Sequence, residues 1–448
     1  MKKIILLISV ITLSLVLTGC QENDVTFDLI GETYNNLSVS VPYSEQGFIA
    51  KSEGKDISQY VTIDNTVDQT AAGDYEVTYT LNYEGITKTL TRYVYYRDYG
   101  CQKYLYENSD KEVVVTNLTR CGIQFTEYLD TYITLQFYYE DDTYHDQASY
   151  IFDNVENILK DYHKLSDKYH VYDGYTNVKT INNNPTAVHT IDEKLFNMIQ
   201  FTLDHQDDVD NLFNIALGPV LNVWHNYRDD CQIDNDCLVP PMSELEAADN
   251  YTNPEDIILN ETNLTIQMGP SMSLDLGGVS KGIISGVLTD YLDALDLYGY
   301  LLNNGESNIS IGGEHPSRDN GKFILAITDP TFSGAYPYYA TIYLSDGDQL
   351  VTSGDYQKYY MVDGERYHHI INPNTLMPES YSRSVSIVTS DPGLADLYST
   401  AIFTMPISEG QTFVNNIDNL EAIWYGNDGT IHFSENFEEM YLIELFNQ

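Results

Sequence analysis

The text of the chain changes character near Tyr99, and that change bounds what it can fold into. From about residue 40 to Tyr96 it reads as strand and turn throughout. Val61-Thr-Ile is followed by the polar stretch Thr66 to Asp74, then Tyr75-Glu-Val-Thr-Tyr-Thr-Leu, a turn at Asn82 to Gly85, and Thr87 to Tyr95. Segments 75–81 and 89–95 alternate with period two around a hairpin-like turn, which predicts a small all-β sandwich. Beyond Tyr99, helix and strand patterns intermix. An alternating strand covers 129–138, and an amphipathic helix over 150–169 carries Ile151, Val155, Ile158, Leu159 and Tyr162. Further helices are predicted over 192–204, 243–250 and 393–404, with a Gly-Pro turn inside 211–224. Strands are predicted at 264–268, 323–328, 338–344 and 384–389. The reading is an α+β (mixed α/β) body over 99–448, preceded by a sandwich over 41–98, with residue 25 as the alternative start.

The N-terminus points to export. Lys2-Lys3 precedes an apolar run, Ile4 to Leu17, and then Leu17-Thr-Gly-Cys20. The run is short for a membrane span and right for a signal peptide. Its ending resembles a bacterial lipobox, with Cys20 as the lipidated first residue. The expectation is a signal peptide over 1–20, a tether over 21–40, and an extracytoplasmic protein held to the bacterial cell membrane by lipid. Four cysteines remain, an even number that permits two disulfides in an exported chain. Cys231–Cys237 would pin a surface loop, and Cys101–Cys121 would staple the start of the second domain. Against 67 Asp and Glu stand 22 Lys and Arg, a formal charge of -45. That balance argues against a nucleic-acid partner, and an anionic ligand must be held locally by amides, a few cations or a metal.

Three stretches carry chemistry. Met272-Ser-Leu-Asp-Leu-Gly-Gly-Val-Ser-Lys-Gly282 reads as a small strand, a Gly-Gly turn and a helix start. Gly277 and Gly278 would admit left-handed angles or a close ligand, and the amides beside Lys281 suit a phosphate. Asp396 and Thr400 lie four apart on the helix over 393–404, so both oxygens share a face that suits a hard cation such as Mg²⁺ or Ca²⁺. The bland alternative is an Asp favourable with the helix dipole and a Thr bonded to its own backbone. His368 and His369 precede an Asn372-Pro373 turn, and a histidine there can take a proton from a hydroxyl. The chain has neither a Gly-x-Ser-x-Gly elbow nor a His-Glu-x-x-His motif, which argues against a serine hydrolase or a zinc protease.

Taken together, several motifs in order resemble the ApbE family of FAD:protein FMN transferases over roughly residues 120–445. They are Leu129-Asp-Thr131, Leu165-Ser166 through Asn182, Asn214 to Trp224, Leu274-Asp-Leu-Gly-Gly-Val-Ser-Lys-Gly282, Ile311-Gly-Gly-Glu314, Val351-Thr-Ser-Gly-Asp355, His369-Ile-Ile-Asn-Pro373 and Ala395-Asp396 with Thr400. Val67 to Tyr79, with Thr91-Arg-Tyr-Val-Tyr95, resembles the immunoglobulin-like modules of bacterial surface proteins. The first resemblance implies Mg²⁺-dependent transfer of FMN from FAD to a Thr or Ser hydroxyl of an exported acceptor, at a site like Ser/Thr-Gly-Ala-Ser/Thr, with release of AMP. It implies metal ligation by Asp396, Thr400 and the Ser280 carbonyl, and a catalytic role for His369 and Asp396. FAD would lie against Asp130, Thr131, Asn214, Gly277, Gly278, Lys281, Glu314, His369 and Ile370. Asn214 and Asn372 stand where the family has Asp, Glu314 where it commonly has Asp, and Leu376 where it has Gly. The alternatives are a non-enzymatic FAD-binding lipoprotein and an FAD pyrophosphatase giving FMN and AMP.

Overall fold

The computed structural model describes residues 25–446 apart from 31–32, 39–42, 70, 72, 98–99, 109, 111, 141–144, 235–236 and 380. Cys20 and the signal peptide lie outside the described residues. The chain divides into two compact units, Met1–Asp98 and Tyr99–Gln448.

The first unit is a sandwich of a three-stranded and a four-stranded sheet. The alternation legible over 75–95 belongs to the hairpin Gly73–Tyr83 and Ile86–Arg97. Its two-residue turn places Glu84 and Gly85 at φ 48° and 83°, the mirror-image turn that matches strand twist. Val77, Tyr79, Leu81, Val94 and Tyr96 point inward with Phe27 and Ala50. The expected tether over 21–40 is corrected here. Val25–Leu29 and Tyr34–Ser38 are strands of this sandwich, the latter pairing in parallel with Ile86–Arg97.

The second unit is built on a nine-stranded antiparallel sheet. From one edge its strands run Ile431–Phe433, Glu421–Gly426, Ser382–Thr389, Gln349–Gly354, Asn308–Gly313, Gly299–Asn304, Ile133–Tyr139, Val113–Phe125 and Gln102–Glu107. Period-two alternation fills both faces. Ile133, Leu135, Phe137, Val351, Ile387 and Trp424 join the helical layer, while Tyr138, Leu350, Val388 and Ile423 join a small sheet of Phe323–Thr328, Tyr338–Leu344 and Leu442–Leu445. The described helices are α1 His145–Ser166, α2 Val178–Asn183, α3 Glu193–His205, α4 Gly218–Asp234, α5 Met242–Asp249, α6 Ser280–Asp293, α7 Pro392–Phe403, α8 Ile407–Asn415 and α9 Phe437–Met440. None is long and apolar enough to cross a membrane.

Three local expectations change. Residues 129–132 form a turn, with Leu129 and Asp130 at positive φ, and the strand begins at Ile133. The Gly218-Pro219 pair opens α4 instead of forming a turn, because proline's fixed φ suits the first helical turn. Residues 272–276 are extended but join no ladder. Asn182 holds them instead, its Nδ2 donating to the Leu274 carbonyl at 2.9 Å and its Oδ1 accepting from the Leu274 amide at 2.7 Å. Both cysteine pairs, Cys101–Cys121 and Cys231–Cys237, are bonded.

Candidate functional site

The site forms where α6 and α7 cross. Asp391 caps α7, its carboxylate accepting from the Leu394 amide at 2.9 Å, and Pro392 occupies the first turn. This start puts Asp396 and Thr400 on the face toward α6. The helices approach so closely that a Cβ at Gly282 would stand 2.2 Å from the Pro392 carbonyl and 2.5 Å from Asp396 Cβ. The glycine is therefore required by contact, and its amide donates to Asp396 Oδ2 at 2.8 Å. Gly277 and Gly278 do not take left-handed angles. Their constraint is also contact, since a Cβ at Gly278 would meet the Phe213 ring at 2.9 Å.

Asp396 is 5% exposed. Burial raises its pKa, opposed by Lys281, the Gly282 amide and Asn308. The Thr400 hydroxyl donates to the Asp396 carbonyl at 3.0 Å, the ordinary helical back-bond, and lies 3.4 Å from the Gly278 carbonyl. Carboxylate, hydroxyl and carbonyl oxygens thus meet around a buried carboxylate that has no ion-pair partner among the described residues. An all-oxygen donor set suits Mg²⁺ or Ca²⁺ and not a softer metal. The buried Asn304 Oδ1 is unpartnered nearby, while its Nδ2 donates to the Lys281 carbonyl and to Ser285 Oγ, both at 3.2 Å.

The facing wall is a slot lined by Leu221, Trp224, His225 and Arg228 of α4 and by Tyr360, Tyr367, His368 and His369. The α4 residues follow helical spacing and form one stripe. The two adjacent histidines separate by their hydrogen bonds. His368 is 2% exposed, its Nε2 donates to the Glu379 carbonyl at 2.8 Å, and its Nδ1 accepts from the Ile370 amide at 3.2 Å. Both its nitrogens are committed. His369 Nδ1 lies 3.2 Å from the Lys358 carbonyl, which can only accept, so Nδ1 carries the proton and Nε2 keeps a free lone pair. Its pKa is lowered to about 3, first by burial, then by His368, Lys358, Lys281 and Arg228.

Cations gather at this wall from four segments. Lys358 has its pKa lowered by loss of solvent, then by Lys281, Arg228 and Lys168, while Asp130 favours its charge. Lys168, in the loop after α1, donates to Asp275 Oδ2 at 2.5 Å and to His225 Nδ1 at 3.2 Å. Burial alone would raise the Asp275 pKa. Lys168 more than reverses that, aided by the Gly277 amide, which donates to Asp275 Oδ1 at 2.8 Å. His225 is held near 4 by burial and Lys168, and so stays neutral. Lys168, His225, Asp275, Arg228 and Lys358 were not singled out in the sequence as site residues. Lys168, Asp275 and Lys358 lie outside helices and ladders and have no periodicity to betray them, and the spacing of His225 and Arg228 on α4 does not say what that face meets.

Other expected residues fall elsewhere. Glu314 lies away from the helix crossing. It follows Gly313 at the far end of a strand whose near end, Asn308, faces Asp396, a separation of about 20 Å by strand rise. The turn that meets the helix crossing is Asn304 to Asn308, with Gly305 at φ 79° packed on Thr131. Asn214 is committed to backbone, its Oδ1 accepting from the Ala216 amide at 2.8 Å and its Nδ2 donating to the Thr252 carbonyl at 2.9 Å. Asn372 Oδ1 accepts from the Asn374 amide at 2.8 Å, a turn role that asparagine fills as well as aspartate. Leu376 does take φ 61°, and its buried side chain and its carbonyl, which accepts from Trp224 Nε1 at 2.9 Å, hold the slot's floor.

A sheet-backed helix crossing lined with oxygens, facing a neutral histidine with cations nearby, defines an α+β protein whose donor set suits a hard cation and whose cations suit an anion. The chain belongs to the ApbE family, whose model matches residues 129–424, and a model for "Bacterial surface protein, Ig-like domain" matches 27–95. An FAD:protein FMN transferase of Klebsiella pneumoniae (strain 342) is 27% identical over 241 residues, covering 52% of this chain and 70% of the relative. Another, from Rhodobacter capsulatus, is 29% identical over 215 residues, covering 47% and 38%. The ApbE protein of Thermotoga maritima superposes with TM-score 0.61 at 23% identity, covering 73% of this chain and 99% of that one. The flavinyl transferase ApbE of Pseudomonas stutzeri gives 0.60 at 20% identity, covering 73% and 97%. At these identities the structures speak for the fold alone.

Proposed function

We propose that this protein transfers FMN from FAD to a Thr or Ser hydroxyl of an exported acceptor protein and releases AMP. The observation that carries the reading is the pairing of His369, neutral with Nε2 free, with four cations and an oxygen-lined helix crossing in a chain of charge -45. His369 Nε2 takes the proton of the acceptor hydroxyl, the oxygen attacks the FMN phosphorus, and the phosphoanhydride bond to AMP breaks. Lys281 and Lys358 neutralise charge on the pyrophosphate. Those same cations depress the His369 pKa, so a bound pyrophosphate raises its basicity when substrate is present. Asp396, Thr400 and the Ser280 and Gly278 carbonyls are the residues that would hold Mg²⁺. When bound, it supplies Lewis-acid neutralisation of the pyrophosphate oxygens. The acceptor carries a Ser/Thr-Gly-Ala-Ser/Thr-like site, and Cys20 anchors the protein by lipid on the outer side of the bacterial cell membrane.

The test is FAD, Mg²⁺ and a flavin-acceptor domain incubated with the protein. Covalently flavinylated acceptor is expected, and Asp396→Ala is expected to lower its formation at least ~10³-fold. No covalent product with a competent acceptor rejects the reading. FMN and AMP released without acceptor would make the protein a pyrophosphatase, and FAD retained unchanged would make it a binding protein.

A further inference from the structure

The hairpin that leads to His369 stands apart from the main sheet. Its strands, Tyr359–Val362 and Glu365–His368, pair only with each other. Tyr360 and Tyr367 face one another across it, with their rings 6.5 and 5.8 Å from Trp224 of α4. Tyr360 is 5% exposed, and its hydroxyl donates to the Leu238 carbonyl at 3.1 Å. Leu238 follows Cys237, which is bonded to Cys231 in the last turn of α4. Cys231, Trp224, Tyr360, Ile371 and Leu376 share one buried cluster.

We propose that the Cys231–Cys237 disulfide and Tyr360 form a clamp that positions the His369 hairpin in the slot, so that reducing this disulfide slows the transfer step. The inference rests on the transferase reading. With the disulfide closed, Cys237 is tied to the last turn of α4, and the adjoining Leu238 carbonyl is held where the buried phenol can donate to it. Burial raises the Tyr360 pKa, so the phenol stays a donor. Once the disulfide opens, Leu238 is free to leave, and a buried hydroxyl without an acceptor favours opening of the hairpin. His369 then moves with it, because its amide and Nδ1 both bond to the Lys358 carbonyl next to Tyr359. The redox step is a thiol–disulfide exchange. A dithiol supplies two electrons and two protons, the Cys231–Cys237 bond breaks to give two thiols, and the dithiol closes to its own disulfide. Cys237 is partly exposed, which gives the reductant access. The other disulfide, Cys101–Cys121, lies at the outer strands of the main sheet and provides an internal control.

The experiment measures single-turnover FMN transfer to an acceptor domain, and hydrogen exchange over residues 359–369, on the full chain with and without a dithiol. Reduction is expected to slow transfer about tenfold or more, with little change in the KM for FAD, and to speed exchange in 359–369. Cys231→Ser/Cys237→Ser should begin slow and ignore the dithiol. Tyr360→Phe should lose most of the dithiol response, because it leaves no buried hydroxyl to be stranded, and combining it with the cysteine pair should cost no more than the cysteine pair alone. Cys101→Ser/Cys121→Ser should keep the dithiol response. Unchanged rate and exchange on reduction would overturn the clamp, as would a dithiol response that disappears with Cys101–Cys121. If the oxidised protein transfers nothing, the transferase reading fails, and the exchange data still decide whether the clamp exists.

Discussion

The chain carries two Gly-Gly pairs, Gly277–Gly278 and Gly312–Gly313, each beside an apolar run and each followed closely by a charged side chain. The first leads into α6, where Lys281 and Gly282 meet Asp396. The second ends a strand, where a Cβ at Gly312 would strike the Tyr300 ring at 2.1 Å and Gly313 takes φ 62°. Both pairs are required by close contact, yet the contacts differ. The first packs against the Phe213 ring just ahead of the helix crossing that Gly282 permits, and the second permits an aromatic ring to cross a sheet. A double glycine reports crowding, and what crowds it decides whether chemistry follows.

The contrast can be broken by substitution. Gly282→Ala should have the largest effect, because the added carbon meets backbone at Pro392 and the Asp396 carboxylate must move. Transfer per folded molecule should fall ~10²-fold or more, and activity within tenfold of the parent would show that the crossing tolerates it. His369→Ala should lower the rate about 10²-fold while leaving FAD bound, as checked by flavin fluorescence; unchanged transfer removes it as the base. Gly312→Ala should cost about 1–3 kcal/mol of stability by chemical denaturation, with transfer per folded molecule retained. Glu314→Gln should change the rate by less than ~twofold, and a large loss would return the second glycine pair to the site.

The same contrast has a pH side. His369 and His225 have folded pKa values lowered to about 3 and about 4 from 6.5, so the unfolded chain binds more protons between those values. Folding stability from these groups is complete above pH 6.5 and declines as pH falls toward 4. Thermal melts between pH 7 and 4.5 should show that decline, and His225→Gln should flatten part of it.

Some of this was legible in the sequence and some was not, for identifiable reasons. Asp396 and Thr400 could be placed on one helix face because i,i+4 geometry is local. The sandwich hairpin could be read from alternation, and Leu376 at a glycine-like position does adopt the positive φ that a Gly would take there. Glu314 sits at the strand end away from Asp396, and the pattern Gly-Gly-Glu looks the same at either end of a strand. Which end faces α7 depends on how that strand is ordered in the sheet. The tether over 21–40 was misread because Tyr34–Ser38 pairs in parallel with a strand more than fifty residues later, and such pairing leaves no local mark.

The sequence by itself determined the elements: two folding units, the helices that present Asp396 and Lys281, and the glycines without which those helices could not touch. These follow from backbone sterics and from side-chain periods that act over a few residues. Only the tertiary structure decided that Lys168, Arg228 and Lys281 act on Lys358 beside the slot, that His369 and not His368 keeps a free nitrogen, and that Lys168 pairs with Asp275. Those outcomes depend on charges drawn from segments up to 190 residues apart, Lys168 to Lys358, being brought close enough to act on one another.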